Sequence, residues 1–312
     1  MTPELNEPPN PYIEPTHSDL QSCQSVHINQ CVSSTVPMHS PTCLSAPIGV
    51  YDSGVGGVSV LKALRAKLPN ESFLYVADSG HAPYGDRDSD FVEARAVEIT
   101  RYLHDRGAKA IVLACNTASV VAVNRLRSMH SLPIIAMEPA IKPAVELTRS
   151  KVVVVLATSR TVQSAAVERL CRLFGSGVKI ILQPCPGLVE QVEGGVADNA
   201  ITLALLEKYL RPALDAGADT IVLGCTHYPF LDAQIRQIAG PDVLIVEPSE
   251  AIANQLARRL QSAANNRTDA TNPGVTFLTS GCVAAMKSFL TVMWGADTDV
   301  GSLHLIPPRN EA

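Results

Sequence analysis

Residues 107–117 read Gly-Ala-Lys-Ala-Ile-Val-Leu-Ala-Cys-Asn-Thr, and residues 217–227 read Gly-Ala-Asp-Thr-Ile-Val-Leu-Gly-Cys-Thr-His. The two stretches align without a gap, and their cysteines are separated by 110 positions. In each, a short apolar run follows a glycine, which is typical of a strand buried on both faces of a parallel sheet. The duplication predicts two equivalent strands, each leading directly into a cysteine.

A second duplication follows the first. Residues 134–139 read Ile-Ile-Ala-Met-Glu-Pro, and residues 243–248 read Val-Leu-Ile-Val-Glu-Pro at nearly the same offset. Repeats of this length favour a gene-doubled pair of structural units. We therefore predict an α/β fold of two pseudo-symmetric lobes, each a mostly parallel sheet flanked by helices, with the active site in the cleft between them. The first lobe is predicted to span 46–138 plus 248–312, and the second 139–247.

Composition limits the classes of protein that this chain can belong to. The 312 residues carry a net charge of −5, which argues against a general nucleic-acid surface because such a surface needs a basic field. No apolar run approaches the roughly 20 residues of a membrane helix, and we expect a cytoplasmic protein without membrane contact. Eight cysteines without a Cys-x-x-Cys pair predict reduced thiols rather than a disulfide scaffold or a metal site.

The first 45 residues differ from the rest of the chain. They are rich in Pro, Ser, Thr, Asn and Gln and show no helical or strand periodicity. Such a segment buries too little apolar surface to offset the entropy of ordering. We predict that residues 1–45 form a disordered tail, and we assign no chemistry to it.

Polar residues follow the predicted strands where each one ends. Asp52 and Ser53 come after the strand at 47–51 and precede the turn Gly54-Val55-Gly56-Gly57, which opens a helix. Free N–H groups at such a turn suit an anionic oxygen of a ligand, and the poor match to a dinucleotide fingerprint favours a carboxylate. Asp52 is equally consistent with a plain helix N-cap.

Two thiols at equivalent strand ends leave four interpretations open: a disulfide, a metal pair, one nucleophile with a spectator, or two acid/base groups. A reducing compartment disfavours the disulfide, and too few further ligands lie near each thiol for a metal. Duplication favours the last interpretation, because removal of a proton from one face of a carbon and its return to the other needs the same group twice. The thiols would then work in opposite protonation states, tuned by neighbours such as His227.

Four motifs carry a resemblance to a known family. Asp52-Ser53-Gly54-Val55-Gly56-Gly57, Pro83-Tyr84-Gly85, Ala114-Cys115-Asn116-Thr117-Ala118 and Gly224-Cys225-Thr226-His227-Tyr228-Pro229 resemble the glutamate racemases of the aspartate/glutamate racemase superfamily. The likeness runs from about residue 47 to the C-terminal helix, with the motifs in family order. It implies cofactor-independent two-base interconversion of L- and D-glutamate, with no metal, supplying D-glutamate for peptidoglycan in a bacterial cytoplasm.

The resemblance also implies roles for individual residues. Cys115 and Cys225 match the acid/base pair, with Asp52 assisting the first thiol and Glu193 and His227 the second. Nine positions match those that hold the amino acid: Asp52, Ser53, Tyr84, Gly85, Asn116, Thr117, Thr161, Thr226 and His227. Arg160 departs from the family pattern, since many members have glycine there.

Other functions remain open on the sequence alone. An aspartate racemase would keep the thiol pair but need a cavity shorter by one methylene, a difference worth only about 1–3 kcal/mol in binding. A pyridoxal phosphate enzyme is disfavoured because no lysine lies in a recognisable ligand loop. The family also suggests a homodimer, and some relatives inhibit DNA gyrase, which the acidic composition would restrict to protein contact.

Overall fold

A computed structural model describes residues 45–196, 198–262, 273–295 and 298–305, and these residues belong to one compact unit. Apart from Ser45, the predicted disordered tail lies outside the described residues. No helix in these ranges is both long enough and apolar enough to cross a membrane.

Ten strands, eleven α-helices and three short 3₁₀-helices form within the described ranges. The strands are β1 (Ile48–Asp52), β2 (Phe73–Ala77), β3 (Ala110–Leu113), β4 (Ile134–Ala136), β5 (Val152–Ala157), β6 (Lys179–Pro184), β7 (Thr220–Leu223), β8 (Leu244–Val246), β9 (Val275–Thr279) and β10 (Val300–Ser302). The helices are α1 (Val58–Lys67), α2 (Ser89–Asp105), α3 (Asn116–Met129), α4 (Ile141–Leu147), α5 (Ser159–Val162), α6 (Ala165–Phe174), α7 (Leu188–Glu193), α8 (Ala200–Asp215), α9 (Asp232–Ala239), α10 (Ser249–Ser262) and α11 (Val283–Met293).

The strands form two sheets, and every strand pair in them is parallel. The larger sheet has the order β10-β9-β2-β1-β3-β4, and the smaller has the order β6-β5-β7-β8. The four strands β2-β1-β3-β4 therefore repeat as β6-β5-β7-β8, with β9 and β10 added to the first sheet. This repetition confirms the predicted fold class.

Burial explains why the duplicated runs are so apolar. In β3, Val112 packs into one hydrophobic cluster, whereas Ile111 and Leu113 pack into another. In β7, Ile221 and Val222 likewise pack into different clusters. Both faces of these strands are buried in hydrophobic clusters, which explains why the runs Ile111–Leu113 and Ile221–Leu223 are apolar throughout.

Both sheets belong to one compact unit. The residue bounds of the two lobes stay a prediction. Chain direction matters more for the site. Because neighbouring parallel strands end at the same edge of a sheet, β1 and β3 deliver Asp52 and Cys115 to one edge. In the second sheet β5 and β7 deliver Thr158 and Cys225 to the corresponding edge.

Candidate active site

Both duplicated cysteines line one cavity. Cys115 is 5% exposed and Cys225 is 7% exposed, and both are free thiols. The residues that line the cavity are Ser53, Pro83, Tyr84, Gly85, Cys115, Asn116, Thr117, Thr158, Val189, Cys225, Thr226 and His227. Residues from both sheets thus enclose the space between the two thiols.

Cys115 lies at the N-terminus of α3, where its sulfur accepts a hydrogen bond from the Ala118 N–H over 3.5 Å. The thiol in turn donates to the Ser53 hydroxyl oxygen over 3.5 Å. Burial raises the pKa of Cys115 to about 12, and the negative charge of Asp52 contributes to the rise. At neutral pH, Cys115 therefore carries its proton.

Asp52 is not a helix cap. The N-cap of α1 is Gly57, and no side chain caps that helix. The Asp52 carboxylate instead accepts hydrogen bonds from the hydroxyls of Ser53, over 3.0 Å, and Thr226, over 2.8 Å. Burial raises the pKa of Asp52, although the nearby His227 and Thr226 partly oppose the rise. Through Ser53, Asp52 connects to the Cys115 thiol.

Cys225 has a different set of neighbours. Its sulfur lies 3.7 Å from Nδ1 of His227, and Nε2 of His227 lies 2.6 Å from Oε1 of Glu193. Burial by itself would lower the pKa of His227, but the hydrogen bonds with Cys225 and Glu193 outweigh it and hold that pKa well above its ordinary value. The raised pKa favours the protonated imidazole, in which both ring N–H groups can donate, one to each partner.

The glycine turn after β1 makes close contact with this group. A Cβ atom on Gly54 would lie 1.8 Å from Oε1 of Glu193, and one on Gly56 would lie 2.4 Å from Nδ1 of His227. The Val55 N–H donates to Oε1 of Glu193 over 2.7 Å. The anionic oxygen expected at this turn is thus supplied at Val55 by the protein's own carboxylate.

Hydroxyl and amide groups occupy the other side of the cavity. Oγ1 of Thr117 lies 3.0 Å from Oγ1 of Thr158, which itself donates to Thr161 over 2.9 Å. Thr161 is fully buried behind Thr158 and does not line the cavity. Asn116 does line it, and both polar atoms of its side chain are buried without a hydrogen-bond partner. Buried amides are normally satisfied, so a ligand is the natural partner here.

Sequence reasoning missed Thr158 and Val189, which also line the cavity. Thr158 comes directly after β5, so the rule that polar residues at strand ends form sites would have found it. Val189 lies in α7 and carries no local signal. Among the described residues, no group of three His, Cys, Asp or Glu side chains is placed to hold a metal ion.

Comparison with known proteins agrees with this geometry. Residues 58–256 match the model of the Asp/Glu/Hydantoin racemase family. The glutamate racemase of Methylococcus capsulatus is 51% identical over 249 residues, covering 80% of this chain and 92% of that protein. The glutamate racemase of Pseudomonas paraeruginosa is 46% identical over 263 residues, covering 84% of this chain and 98% of that protein.

Solved structures show the same relationship. Glutamate racemase RacE1 from Bacillus anthracis superimposes with a TM-score of 0.77 at 32% identity, covering 83% of this chain and 98% of that one. The Escherichia coli glutamate racemase in complex with L-glutamate and the activator UDP-MurNAc-Ala gives a TM-score of 0.75 at 30% identity, covering 84% and 99%. With two thiols enclosed between duplicated sheets and these relatives along most of its length, the chain belongs to the Asp/Glu/Hydantoin racemase family and groups with the glutamate racemases.

Proposed function

We propose that this protein interconverts L- and D-glutamate without a cofactor, with Cys115 and Cys225 as the acid and the base on opposite faces of the α-carbon. The observation that carries the proposal is the enclosure of both thiols, one from each repeat, in a single cavity. A one-base enzyme would have no use for the duplication of the strand and its cysteine. The family membership of the chain supports the same activity.

The environments of the two thiols differ in a way that a two-base exchange requires. Burial and the charge of Asp52 keep Cys115 protonated in the resting state, so it is the acid. The first proton removal then falls to Cys225, whose sulfur faces the protonated His227. An imidazolium cation beside a thiolate stabilises the charged form.

The reaction balances without any other reagent. The Cys225 thiolate takes the proton from the α-carbon, and the electron pair of the broken C–H bond is delocalised into the substrate carboxylate. The Cys115 thiol then delivers its proton to the opposite face of the same carbon. The enzyme ends with Cys115 as thiolate and Cys225 as thiol, so the reverse turnover uses the same groups in exchanged roles.

The rest of the cavity suits an amino acid. The unpartnered amide of Asn116 and the hydroxyls of Thr117 and Thr226 can bind carboxylate and ammonium groups. Among relatives, the Francisella tularensis enzyme has been solved in complex with D-glutamate at 28% identity and a TM-score of 0.75. The D-glutamate bound there and the L-glutamate bound to the Escherichia coli enzyme favour glutamate over the shorter aspartate as the substrate of this protein. We further propose that the D-glutamate serves peptidoglycan synthesis in the cytoplasm.

The test is circular dichroism of L-glutamate incubated with the purified protein in deuterated water. We expect the optical signal to decay to zero and solvent deuterium to appear at the α-carbon. A parallel incubation with L-aspartate distinguishes the two substrates. An unchanged glutamate signal together with a decaying aspartate signal would move the assignment to aspartate.

Substitution of the thiols tests the roles. Cys115→Ser and Cys225→Ser should each lower kcat for racemisation by about a thousandfold or more, because a serine hydroxyl is a far weaker acid than a thiol and does not ionise to form a base near neutral pH. Cys171→Ser is the matched control, since Cys171 lies in α6 outside the cavity. Full racemase activity in either active-site variant would exclude the two-thiol mechanism.

A further inference from the structure

A buried carboxylate outside the thiol cavity collects an unusual number of donors. Asp78 follows β2 and is fully buried. Arg95 from α2 binds it with two N–H groups, Nε to Oδ2 over 2.9 Å and Nη2 to Oδ1 over 2.8 Å. Three further contacts surround the same carboxylate: the Tyr84 hydroxyl at 2.5 Å, the Ser280 hydroxyl at 2.6 Å and Nδ1 of His81 at 3.0 Å.

These contacts keep Asp78 charged. Burial alone would raise the pKa of its carboxyl, but the hydrogen bonds from Arg95, Ser280 and Tyr84 outweigh burial and lower that pKa. The two-pronged guanidinium contact fixes the carboxylate in direction as well as in charge, which a lysine could not reproduce. Asp78 is thus a rigid acceptor.

Among these partners, Tyr84 connects the carboxylate to the cavity. Its side chain is 1% exposed and its residue lines the space between the two thiols. The hydroxyl donates to Asp78 and accepts from the Tyr51 hydroxyl over 3.0 Å. The ring meets Phe91 edge to face, with centroids 6.4 Å apart. The hydroxyl end of Tyr84 is therefore held by directional bonds on both sides.

Gly85, the residue after Tyr84, contacts a residue that follows a strand of the second sheet. A Cβ atom on Gly85 would lie 2.8 Å from Cβ of Thr158, so the Gly85 backbone packs directly against the segment after β5. Thr158 bonds with Thr117 beside the first thiol. A shift of Tyr84 and Gly85 would therefore alter the wall that both halves of the cavity share.

We propose that Asp78 and Arg95 are positioning residues that set the place of the Tyr84–Gly85 wall and thereby the affinity of the cavity for glutamate. The inference rests on the proposed function, because it assigns these residues to the same site. Neither residue lines the cavity, so both act through Tyr84.

The test compares Arg95→Lys, Tyr84→Phe and the double variant. Each single change should raise KM for glutamate about tenfold while kcat falls by less than that factor, since binding geometry is lost before the thiols are disturbed. The double variant should raise KM no further than the larger single effect, because both changes break the same link. Arg101→Lys, the same exchange on the same helix, is the control and should leave KM within about twofold of wild type.

A second measurement does not depend on turnover. A loosened wall should expose the first thiol, so we expect iodoacetamide to alkylate Cys115 roughly fivefold faster in Arg95→Lys than in wild type, with the peptide identified by mass spectrometry. Inactive wild-type protein would defeat the proposed function, and the alkylation rates would still decide the positioning role. The positioning role would be overturned if KM and the rate of Cys115 alkylation were unchanged in Arg95→Lys. It would also be overturned if the KM increases of the two single variants multiplied in the double variant.

Discussion

The hydroxyl of Thr226 donates a hydrogen bond to Oδ2 of Asp52 over 2.8 Å, although the two residues are 174 positions apart. Thr226 follows Cys225, and Asp52 reaches Cys115 through the Ser53 hydroxyl. The bond therefore connects the surroundings of one thiol with those of the other. It also places the Asp52 carboxylate beside the residue that follows Cys225.

Asp52→Asn should lower the pKa of Cys115 from about 12 towards its ordinary value, because removal of a neighbouring negative charge makes the thiolate easier to form. Burial persists, so the pKa stays above the ordinary range. The pH dependence of Cys115 alkylation measures this shift. We expect kcat to fall about tenfold or more, because the polar link to Thr226 and Ser53 weakens.

Asp86→Asn is the control for this charge change, since Asp86 is exposed at the end of the short 3₁₀-helix Tyr84–Asp86, which precedes α2. It should leave the alkylation profile of Cys115 unchanged. A rise in the Cys115 pKa in Asp52→Asn would contradict the electrostatic role of Asp52.

Glu193→Gln should lower the pKa of His227, because the glutamate carboxylate at 2.6 Å favours the charged imidazolium. The imidazole would then lose its proton at a lower pH, and the activity at neutral and alkaline pH should decline. NMR titration of the His227 ring gives the pKa directly. We expect a drop of about one pH unit or more.

Glu190→Gln is the matched control, since Glu190 lies on the same helix, α7, and is exposed. Its His227 titration should coincide with that of wild type. An unchanged His227 pKa in Glu193→Gln would show that Cys225 alone holds the imidazole proton.

Arg160→Ala should weaken the closed arrangement of the two halves. Its guanidinium donates to the Arg87 carbonyl and, over 3.4 Å, to the Ser89 hydroxyl, which precede and begin α2. Because both thiols are buried, we expect glutamate to enter the cavity by an opening of this region. With the closed form less populated, KM for glutamate should rise about threefold.

Arg172→Ala serves as the control for Arg160→Ala, because Arg172 is exposed and pairs within its own helix α6. The free energy of unfolding of both variants should lie within about 0.5 kcal/mol of that of wild type. A KM equal to wild type in Arg160→Ala would remove any role of this contact in closure.

Asp219→Asn should destabilise the fold by about 1–3 kcal/mol at neutral pH. The Asp219 carboxylate accepts four hydrogen bonds, from the Thr148 hydroxyl at 2.6 Å, the Arg149 and Ser150 N–H groups at 2.8 Å each, and the Thr220 hydroxyl at 2.9 Å. These bonds lower the pKa of Asp219 despite the opposing effect of burial. An amide group cannot accept all of them.

The pH dependence of this difference has a definite sign. A carboxyl with a lowered pKa stabilises the fold above the unfolded-state value of about 3.9, and this stabilisation is lost as pH falls through the folded value. In urea unfolding, the free energy of unfolding of Asp219→Asn should therefore be lower than that of wild type at pH ~7, and this difference should narrow below pH ~4. Asp215→Asn, an exposed position nearby, should show no gap at either pH.

The sequence by itself determined the fold class and which two of the cysteines are candidates for the site. The runs before Cys115 and Cys225 are local patterns, and a buried parallel strand needs apolar residues on both faces. Their repetition required a doubled architecture, which the strand orders β2-β1-β3-β4 and β6-β5-β7-β8 confirm. An apolar run and its repeat are patterns of neighbouring residues, so they can be recognised without knowledge of the tertiary structure.

Only the tertiary structure decided the contacts around the thiols. No local pattern distinguishes Glu193 from a surface glutamate, and only the family resemblance indicated it, yet it contacts His227 and the Val55 N–H, the latter 138 positions away. Asp78 and Arg95 likewise meet only because β2 and α2 pack together. Hydrogen bonds between distant segments depend on how the sheets and helices are placed in space, and no local pattern encodes that placement.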